Sequence, residues 1–353
     1  MNVNEAKLAY PLGDTQPEPG FALEVAPGVK WIRMPLPFAL DHINLWLLAD
    51  EINGQKGWTI VDCGIAKDPV KALWEEVFKN ELDGLPVLRV VVTHMHPDHV
   101  GLAGWLCEKH DVPLYMSMTD YYVSRMWSSQ PVGGAGTGGD VAVRHFSRHG
   151  LTDPDSQEKI RARATYYPGL VCTPPNRFCR LMDGDTLRIG NNDWQLIAGY
   201  GHAPEHMALY SPALKVLISG DMVLPRISTN VSVFDHEPDG NPLPLYLKSL
   251  DKYLVLDEDT LVLPSHGRPF KGLHERIRQQ HEHHAERLAE VLELCQQPMS
   301  AKDVVPHMFR RELDLHQLTF AMGEALAHLH ALHFDGKLKR ETGSDGIVRF
   351  AVI

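Results

Sequence analysis

The sequence predicts an α+β fold in which two β-sheets pack together and helices cover them. Strand-like and helix-like segments alternate as far as about Lys271, which suits such a sandwich. From about His274 the pattern becomes helical. At 353 residues with 44% hydrophobic content, the chain is long enough for one large domain and one small one. We therefore predict a large domain over residues 1–273 and a small domain over residues 274–353.

The predicted strands end just before residues that can bind metals. Leu88 to Val92 is a β-branched run typical of a strand buried on both faces, and His94 lies just beyond it. Similar strands are predicted from Trp58 to Asp62, Trp194 to Tyr200, Val216 to Ile218 and Leu261 to Leu263. The candidate ligands at or just past the strand ends are His94, His96, Asp98, His99, His202, Asp221 and His266.

These seven side chains indicate a site for two metal ions. Imidazole and carboxylate suit zinc and its first-row neighbours, and seven ligands are too many for one tetrahedral ion. Two ions that share one carboxylate account for the number. Pro97 favours an extended backbone at His96, which delays the following helix. A competing interpretation, in a chain with 20 histidines, makes His94 and His96 surface residues and Asp98 a helix N-cap.

Four motifs in order argue against that interpretation and resemble the metallo-β-lactamase superfamily. They are His94-Met95-His96-Pro97-Asp98-His99, Gly201-His202-Ala203-Pro204-Glu205-His206, Ser219-Gly220-Asp221 and Ser265-His266-Gly267. The resemblance covers roughly the first three quarters of the chain and implies a four-layer αββα sandwich. It also implies that one ion is held by His94, His96 and His202, and the other by Asp98, His99 and His266. Asp221 would bridge the ions, and Asp62 would steady the ligand loop.

The resemblance implies a binuclear hydrolase. Two ions about 3.5–4 Å apart can hold a hydroxide between them, which attacks a carbonyl or phosphoryl group. Asp98 and Asp221 would supply the negative charge that retains the ions. Zinc is the default ion, and iron and manganese accept the same ligands. Cys63 is interpreted as a small buried residue and not as a nucleophile.

The choice of substrate rests on the same resemblance. The sequence His96-Pro97-Asp98-His99 is similar to glyoxalase II-like and related thioesterase or lactonase members, although the basic helical domain of glyoxalase II is not recognisable. Zinc β-lactamases usually place Cys or Ser where Asp221 stands, which disfavours β-lactam cleavage. We expect hydrolysis of a small ester, thioester or lactone. A phosphodiesterase or ribonuclease of the same fold and a regulatory metal-binding protein without turnover stay open as alternatives.

The stretch from Thr119 to Asp183 interrupts the alternation of strands and helices. It contains predicted helices from Tyr121 to Trp127 and from Asp155 to about Ala164, and a glycine-rich segment from Gly133 to Gly139. Long loops are often functional, so one hypothesis makes this stretch a lid or pocket wall. Tyr166 and Tyr167 of this stretch, together with Arg226 further along the chain, would then lie near the substrate. A plain structural insertion explains the stretch equally well.

The C-terminal region is predicted to form three helices and a hairpin. The first helix runs through Cys295, the second follows Ser300 as its N-cap, and the third carries Leu318 to Leu332. The arrangement resembles the winged-helix domain of some superfamily members. From His274 onward there are ten Lys or Arg and twelve Asp or Glu, so a role in packing, dimerisation or active-site closure is preferred to DNA binding. Helix packing is also the favoured interpretation of His281, His283, His284, His316, His328, His330 and His333.

The composition of the chain limits the kind of partner and the cellular compartment that we expect. The net charge of −11 argues against a general nucleic-acid binder, and five cysteines, an odd number, suit a reducing compartment. Cys172 and Cys179 could pair, but reduced thiols are preferred. The N-terminus lacks a signal-peptide core, and no apolar stretch reaches the length of a membrane span. We expect a soluble cytoplasmic protein that acts on a small molecule, with a homodimer as an open option.

Overall fold

The computed structural model describes residues 5–129 and 138–353 of the chain. Its helices are α1 (Asp68–Glu81), α2 (Pro97–Val100), α3 (Ala103–His110), α4 (Met118–Ser129), α5 (Gly139–Arg148), α6 (Pro154–Ala162), α7 (Pro242–Asp251), α8 (Leu273–Leu294), α9 (Ala301–Met308) and α10 (Leu315–Phe334). Its strands are β1 (Ala22–Ala26), β2 (Val29–Pro35), β3 (His42–Ile52), β4 (Gln55–Val61), β5 (Val87–Val91), β6 (Leu114–Ser117), β7 (Cys179–Leu181), β8 (Thr186–Ile189), β9 (Asn192–Gly199), β10 (His206–Ser211), β11 (Val216–Gly220), β12 (Leu261–Pro264), β13 (Leu338–Thr342) and β14 (Val348–Val352). The helices predicted within the long insertion correspond to α4 and α6.

These elements form two compact units that alternate along the chain. The first unit comprises residues 5–129, 168–229 and 249–277, and the second comprises residues 138–167, 230–248 and 278–353. The boundary predicted at residue 273 lies close to Ile277, where α8 leaves the first unit. The predicted lid contributes residues 138–167 to the second unit, whereas Gly133 to residue 137 of its glycine-rich segment lie outside the described residues.

The first unit contains two sheets whose strand directions bring the predicted ligands to common edges. The seven-stranded sheet has the order β1 to β7, and β4, β5, β6 and β7 run parallel. The five-stranded sheet has the order β12-β11-β10-β9-β8. Strands β9 and β11 both run antiparallel to β10, and β11 runs parallel to β12. The carboxyl ends of β9, β11 and β12 therefore meet at one edge.

A shared apolar core holds the two sheets together. The seven-stranded sheet contributes Trp31, Trp46, Val61 and Val91, and the five-stranded sheet contributes Trp194, Leu196, Leu209 and Ile218. Full burial of one such side chain stabilises the fold by about 1.5–3 kcal/mol. Helices α1 and α3 contact β2 and β5, and the Oγ of Ser249 in α7 accepts a hydrogen bond from the backbone N–H of Tyr200 beyond β9. The predicted α+β sandwich is confirmed.

A buried ion pair ties the seven-stranded sheet to the turn between β8 and β9. The Arg89 guanidinium lies 2.7 Å from the Asp50 carboxylate and donates to the carbonyl oxygen of Arg188. The hydroxyl of Thr59 and the backbone N–H of Gly190 also donate to Asp50. Although burial opposes its charge, the donors from Thr59, Gly190 and Arg89 hold the pKa of Asp50 below its ordinary value.

The second unit contains the helices and hairpin predicted for the C-terminal region. Ser300 caps α9 in a capping box with Asp303, as predicted, and Asp314 caps α10 in the same way with Gln317. Strands β13 and β14 form the antiparallel hairpin. None of the helices within residues 5–129 and 138–353 combines the length and apolarity needed to cross a bilayer.

Replacing Arg89 with Met should destabilise the first unit by about 3–5 kcal/mol, because it leaves the Asp50 carboxylate buried without its counter-charge. Denaturant unfolding at pH 7 measures this difference. The pKa of Asp50 is lowered in the folded protein, so its contribution is present above about pH 3.9 and is lost as the pH falls through the folded-state pKa. Arg188→Met, which removes an exposed ion pair with Asp193, should cost less than about 1 kcal/mol. Equal losses in the two variants would contradict the argument.

Candidate metal centre

The structure brings all seven predicted ligands together in the first unit. Their donor atoms fall into two groups, each with all donors within 4.8 Å of one another: His94, His96, His202 and Asp221, and Asp98, His99 and His266. Across the described parts of the chain, no other set of three or more His, Cys, Asp or Glu donors meets this limit. The second group is the trio predicted for one ion, and the first group contains the trio predicted for the other together with Asp221.

Three imidazole nitrogens converge in the first group. The Nε2 atom of His94 lies 2.9 Å from His96 Nδ1 and 3.2 Å from His202 Nε2, and the latter two nitrogens are 3.1 Å apart. Burial and the neighbouring imidazoles lower the pKa of His94 well below its ordinary value and that of His96 to about 3. Both rings are therefore neutral at pH 7, and their lone pairs are available to a cation.

Asp221 lies between the two groups. Its Oδ2 is 3.3 Å from His202 Nε2, whereas its Oδ1 is 3.4 Å from His99 Nε2 and 3.5 Å from His266 Nε2. Asp98 completes the second group, with Oδ2 3.3 Å from His266 Nε2 and 3.7 Å from His99 Nε2. The two oxygens of Asp221 therefore face different sets of imidazoles.

The charges in this cluster fit divalent cations. Burial alone would lower the pKa of His99, but Asp98, Asp62 and Asp221 outweigh it and raise that pKa well above its ordinary value. Burial opposes the charge on Asp221, yet His266 and His99 hold its pKa well below the usual range. Within the described residues, His99 Nε2 and Asp221 Oδ1 are buried and have no hydrogen-bond partner. Buried donors and carboxylates of this kind suit a metal ion.

Asp62 and Thr93 set the orientation of two ligand rings. The Asp62 carboxylate accepts hydrogen bonds from the backbone N–H of Thr93 at 2.8 Å and from His99 Nδ1 at 2.8 Å. The Thr93 hydroxyl donates to Asp62 and lies 3.0 Å from His94 Nδ1, from which it can accept. This leaves the Nε2 atoms of His94 and His99 directed at the cluster. Sequence reasoning identified Asp62 but missed Thr93, although Thr93 directly precedes His94.

His42 orients His266 and was also missed. The backbone carbonyl of His42 accepts a hydrogen bond from His266 Nδ1 at 2.8 Å, which leaves Nε2 free to face Asp98 and Asp221. The His42 ring is fixed in turn, because its Nε2 accepts from the backbone N–H of Gly267 at 2.9 Å. Local sequence offers no signal for a contact between residues this far apart.

Asp120 links two loops that carry candidate ligands, the loop after β5 and the loop after β9. Its carboxylate accepts from the backbone N–H groups of Met95 at 2.9 Å and Glu205 at 2.6 Å, and from the Ser117 hydroxyl at 3.3 Å. Burial raises the pKa of Asp120 to about 6 despite these hydrogen bonds. Sequence reasoning missed this residue, although it follows strand β6 as the metal ligands follow theirs.

His206, which the sequence places outside the ligand set, packs behind Asp221. Its Nε2 accepts a hydrogen bond from the backbone N–H of Asp221 at 3.3 Å. Gly220 makes room for this ring, since a Cβ at that position would lie 2.1 Å from His206 Nε2, and its φ of +53° also favours glycine.

The competing interpretation of Asp98 as an N-cap is wrong. The N-cap of α2 is His96, and Asp98 lies inside the first turn. His96 has φ −63° and ψ 146°, so the extended backbone predicted from Pro97 is confirmed.

The residues predicted to contact substrate are distributed over both units. Arg226 is exposed on the segment that follows β11 in the first unit. Tyr166 in the second unit is half-buried, with the Arg163 guanidinium 4.6 Å from its ring centre and His316 beside it, and Tyr167 is buried. Their contact with substrate stays a prediction.

A two-sheet sandwich with clustered His and Asp side chains at its strand ends defines a class of metal-dependent hydrolases. The chain belongs to the metallo-β-lactamase superfamily. The family model described as "Metallo-beta-lactamase superfamily" matches residues 40–266, and a second, described as "Metallo-beta-lactamase-like, C-terminal domain", matches residues 288–353. The predicted superfamily is therefore confirmed.

Relatives extend over nearly the whole chain. A beta-lactamase domain protein from Burkholderia ambifaria is 55% identical, and its crystal structure matches with a TM-score of 0.94 over 100% of both chains. A metallo-beta-lactamase family protein from Thermus thermophilus is 27% identical, with a TM-score of 0.76 over 94% of this chain and 100% of its own. "Probable metallo-hydrolase YqjP" of Bacillus subtilis is 25% identical over 85% of this chain and 91% of its own. The glyoxalase II-like branch and the winged-helix likeness stay predictions.

Replacing Asp120 with Asn should weaken metal binding about 10–100-fold with little change in fold. The amide would present an N–H₂ group to one of the backbone N–H donors of Met95 and Glu205, so the two ligand loops would separate. Metal retention against a competing chelator measures the effect, and circular dichroism checks the fold. Asp193→Asn, at an exposed ion pair, serves as the control. Unchanged retention in the Asp120 variant would show that the link between the loops is dispensable.

Proposed function

We propose that this protein is a binuclear metal-dependent hydrolase that cleaves a small ester, thioester or lactone. The position of Asp221 carries the proposal, because its two carboxylate oxygens face two separate sets of imidazoles. A carboxylate in this position can serve two ions at once, which a single-ion site does not need. The coarser assignment, a superfamily hydrolase with a His and Asp cluster, follows from the family match.

The two donor groups divide the ligands between the ions. His94, His96 and His202 would hold one ion, Asp98, His99 and His266 the other, and Asp221 would be shared. We propose zinc, since neutral imidazole and carboxylate are its usual nitrogen and oxygen ligands, while iron and manganese accept the same set. Two such ions lower the pKa of a bound water and polarise the oxygen of the bond under attack.

The protein's own contribution is positioning and proton handling. Thr93 and Asp62 fix His94 and His99, so these rings need no reorganisation when ions or substrate bind. With 19% of its side chain exposed, Asp98 is more open to solvent than Asp221 at 11%. Of these two carboxylates, Asp98 is the one that solvent reaches more easily, and it is the one that we assign to accept a proton from the attacking water.

Hydrolysis by water is favoured over covalent catalysis because the thiol next to Asp62 in the sequence is unreactive. Cys63 directly follows Asp62 and is fully buried. Burial, and then the charge of Asp62, raise the pKa of its thiol well above the ordinary value. A thiol held in this state is a poor nucleophile.

The acidic charge of the chain favours a small substrate over a nucleic acid. A net charge of −11 repels polyanions at long range, and phosphate contacts from Lys and Arg normally supply most of the affinity for nucleic acids. We also propose a reducing compartment, since Cys63, Cys107, Cys172, Cys179 and Cys295 are all free thiols. No observation on this structure favours the regulatory alternative.

Elemental analysis of the purified protein should give two metal ions per chain. Asp221→Ala and His94→Ala should lower that number, because each removes a donor from the cluster. Asp259→Ala and His307→Ala, at exposed positions, are matched controls that should retain both ions. One ion per wild-type chain would refute the binuclear part of the proposal, and none would refute the metal site.

A hydrolysis screen over esters, thioesters, lactones and phosphodiesters tests the substrate class. We expect turnover of at least one of the first three classes, lowered at least about 100-fold in kcat/KM by Asp221→Ala and by His94→Ala. Metal-loaded protein that cleaves only phosphodiesters would replace the acyl assignment with the phosphodiesterase alternative. Metal-loaded protein inert to the whole panel would favour a regulatory role.

A further inference from the structure

The second unit contains a cavity of about 550 Å³ that the hydrolase proposal does not use. It is bounded by α5, by the segment around Asp235 to Asp239 and by the hairpin of β13 and β14. Cavities of this volume accommodate small organic ligands. Its lining is unusually rich in charge, with both guanidinium and carboxylate groups.

One wall of the cavity is cationic. Arg144 and Arg148 lie one turn apart on α5 and are exposed, so both can face the same ligand. Within residues 5–129 and 138–353, neither guanidinium forms an ion pair within 4.0 Å of a carboxylate, although the charge of Arg148 helps to lower the pKa of Asp239. Arg340, by contrast, is paired with Asp239 at 2.7 Å. Two unpaired guanidinium groups offer forked donors that match a carboxylate or phosphate.

Asp235 supplies a negatively charged group to the lining of the same cavity. Its side chain is only 4% exposed, yet within the described residues neither carboxylate oxygen has a hydrogen-bond partner. The nearest basic atom is His236 Nδ1, at 3.7 Å, which is beyond hydrogen-bond distance. Buried carboxylates are normally paired, so an unpartnered one beside a cavity points to a donor supplied by a ligand.

Two histidines complete the lining as neutral groups. Burial lowers the pKa of His149 to about 3 and that of His145 to about 4, so neither ring adds charge at pH 7. The Nδ1 atom of His149 is buried and likewise has no partner among the described residues. The donors of His145, His149 and Asp235 do not form a group within 4.8 Å, which argues against a second metal site here.

We propose that this cavity binds a small zwitterion, whose anionic group is held by Arg144 and Arg148 and whose ammonium group donates to Asp235. The class follows from the separation of unpaired positive and negative groups on the walls of one cavity. A ligand with only an anionic group would leave the Asp235 carboxylate without a hydrogen-bond donor. A ligand with only a cationic group would leave the two arginines unpaired. The phosphate and carboxylate forms of the anionic group share this recognition chemistry.

Calorimetric titration of the full-length protein with two probes tests the proposal. O-phosphoethanolamine and β-alanine carry phosphate and carboxylate respectively, each joined to an ammonium group by two carbons. Ethyl phosphate and propionate are the matched compounds without the ammonium group. We expect saturable binding of at least one zwitterion, at least about tenfold tighter than its matched compound, and the tighter zwitterion identifies the anionic group.

Substitutions of the lining residues test whether the zwitterion binds in this cavity. The double variant Arg144→Gln/Arg148→Gln should weaken zwitterion binding at least about tenfold, and Asp235→Asn should remove the preference over the matched compound. Arg310→Gln, at a side chain 83% exposed in the same unit, should bind as the wild type does. Melting temperatures confirm that each variant is folded. The proposal is overturned if neither zwitterion binds saturably, or if binding survives the double arginine substitution, since it then occurs at another site.

Discussion

Three carboxylates lie together in one largely buried cluster of imidazoles, and the balance of their charge is the constraint on which the site depends. Asp62, Asp98 and Asp221 all raise the pKa of His99. An unbalanced buried carboxylate is expensive, so this arrangement requires positive charge beside it. Protons on His99 and His266, whose pKa values are both raised, meet the requirement in the absence of metal. Divalent ions meet it in their place, and ions that bind only the folded chain stabilise it by mass action.

The scaffold fixes this cluster through contacts between segments distant in sequence. Parallel strand directions bring the ligand loops to common edges of the two sheets. The backbone N–H of Met207 in β10 donates to the carbonyl of Thr93 at 2.8 Å, which joins the five-stranded sheet to the first ligand loop. Asp62 has φ of +61°, an uncommon backbone for a residue other than glycine. The hydrogen bonds that Asp62 accepts from Thr93 and His99 hold it in that conformation.

The seven side chains that cluster in the structure could be identified from the sequence because their signal is local. Each ligand follows a short apolar strand, and the period of that strand and the residue after it can be identified without knowing the fold. His42 has no such signal. Asp120 does follow strand β6, but its role, like that of His42, depends on which loops the sheets bring together. Hydrogen bonds between distant segments could not be predicted from the sequence for the same reason. The backbone N–H of Lys302 bonds to the carbonyl of His149 in the second unit, although about 150 residues separate them.

Charge also explains why histidine clusters in this protein take different roles. His284 and His328 are buried on α8 and α10, with Nδ1 of the first 3.2 Å from Nε2 of the second. Burial and neighbouring imidazoles lower the pKa of His284 to about 2, and burial lowers that of His328 to about 4. The charged groups that shift these two values are imidazoles and Arg287, with no carboxylate among them. The two neutral rings share one hydrogen bond, and His328 Nδ1 donates to the backbone carbonyl of Glu324, whereas His284 Nε2 is buried without a partner among the described residues. At the strand ends, carboxylates lie among the rings, and that cluster requires cations.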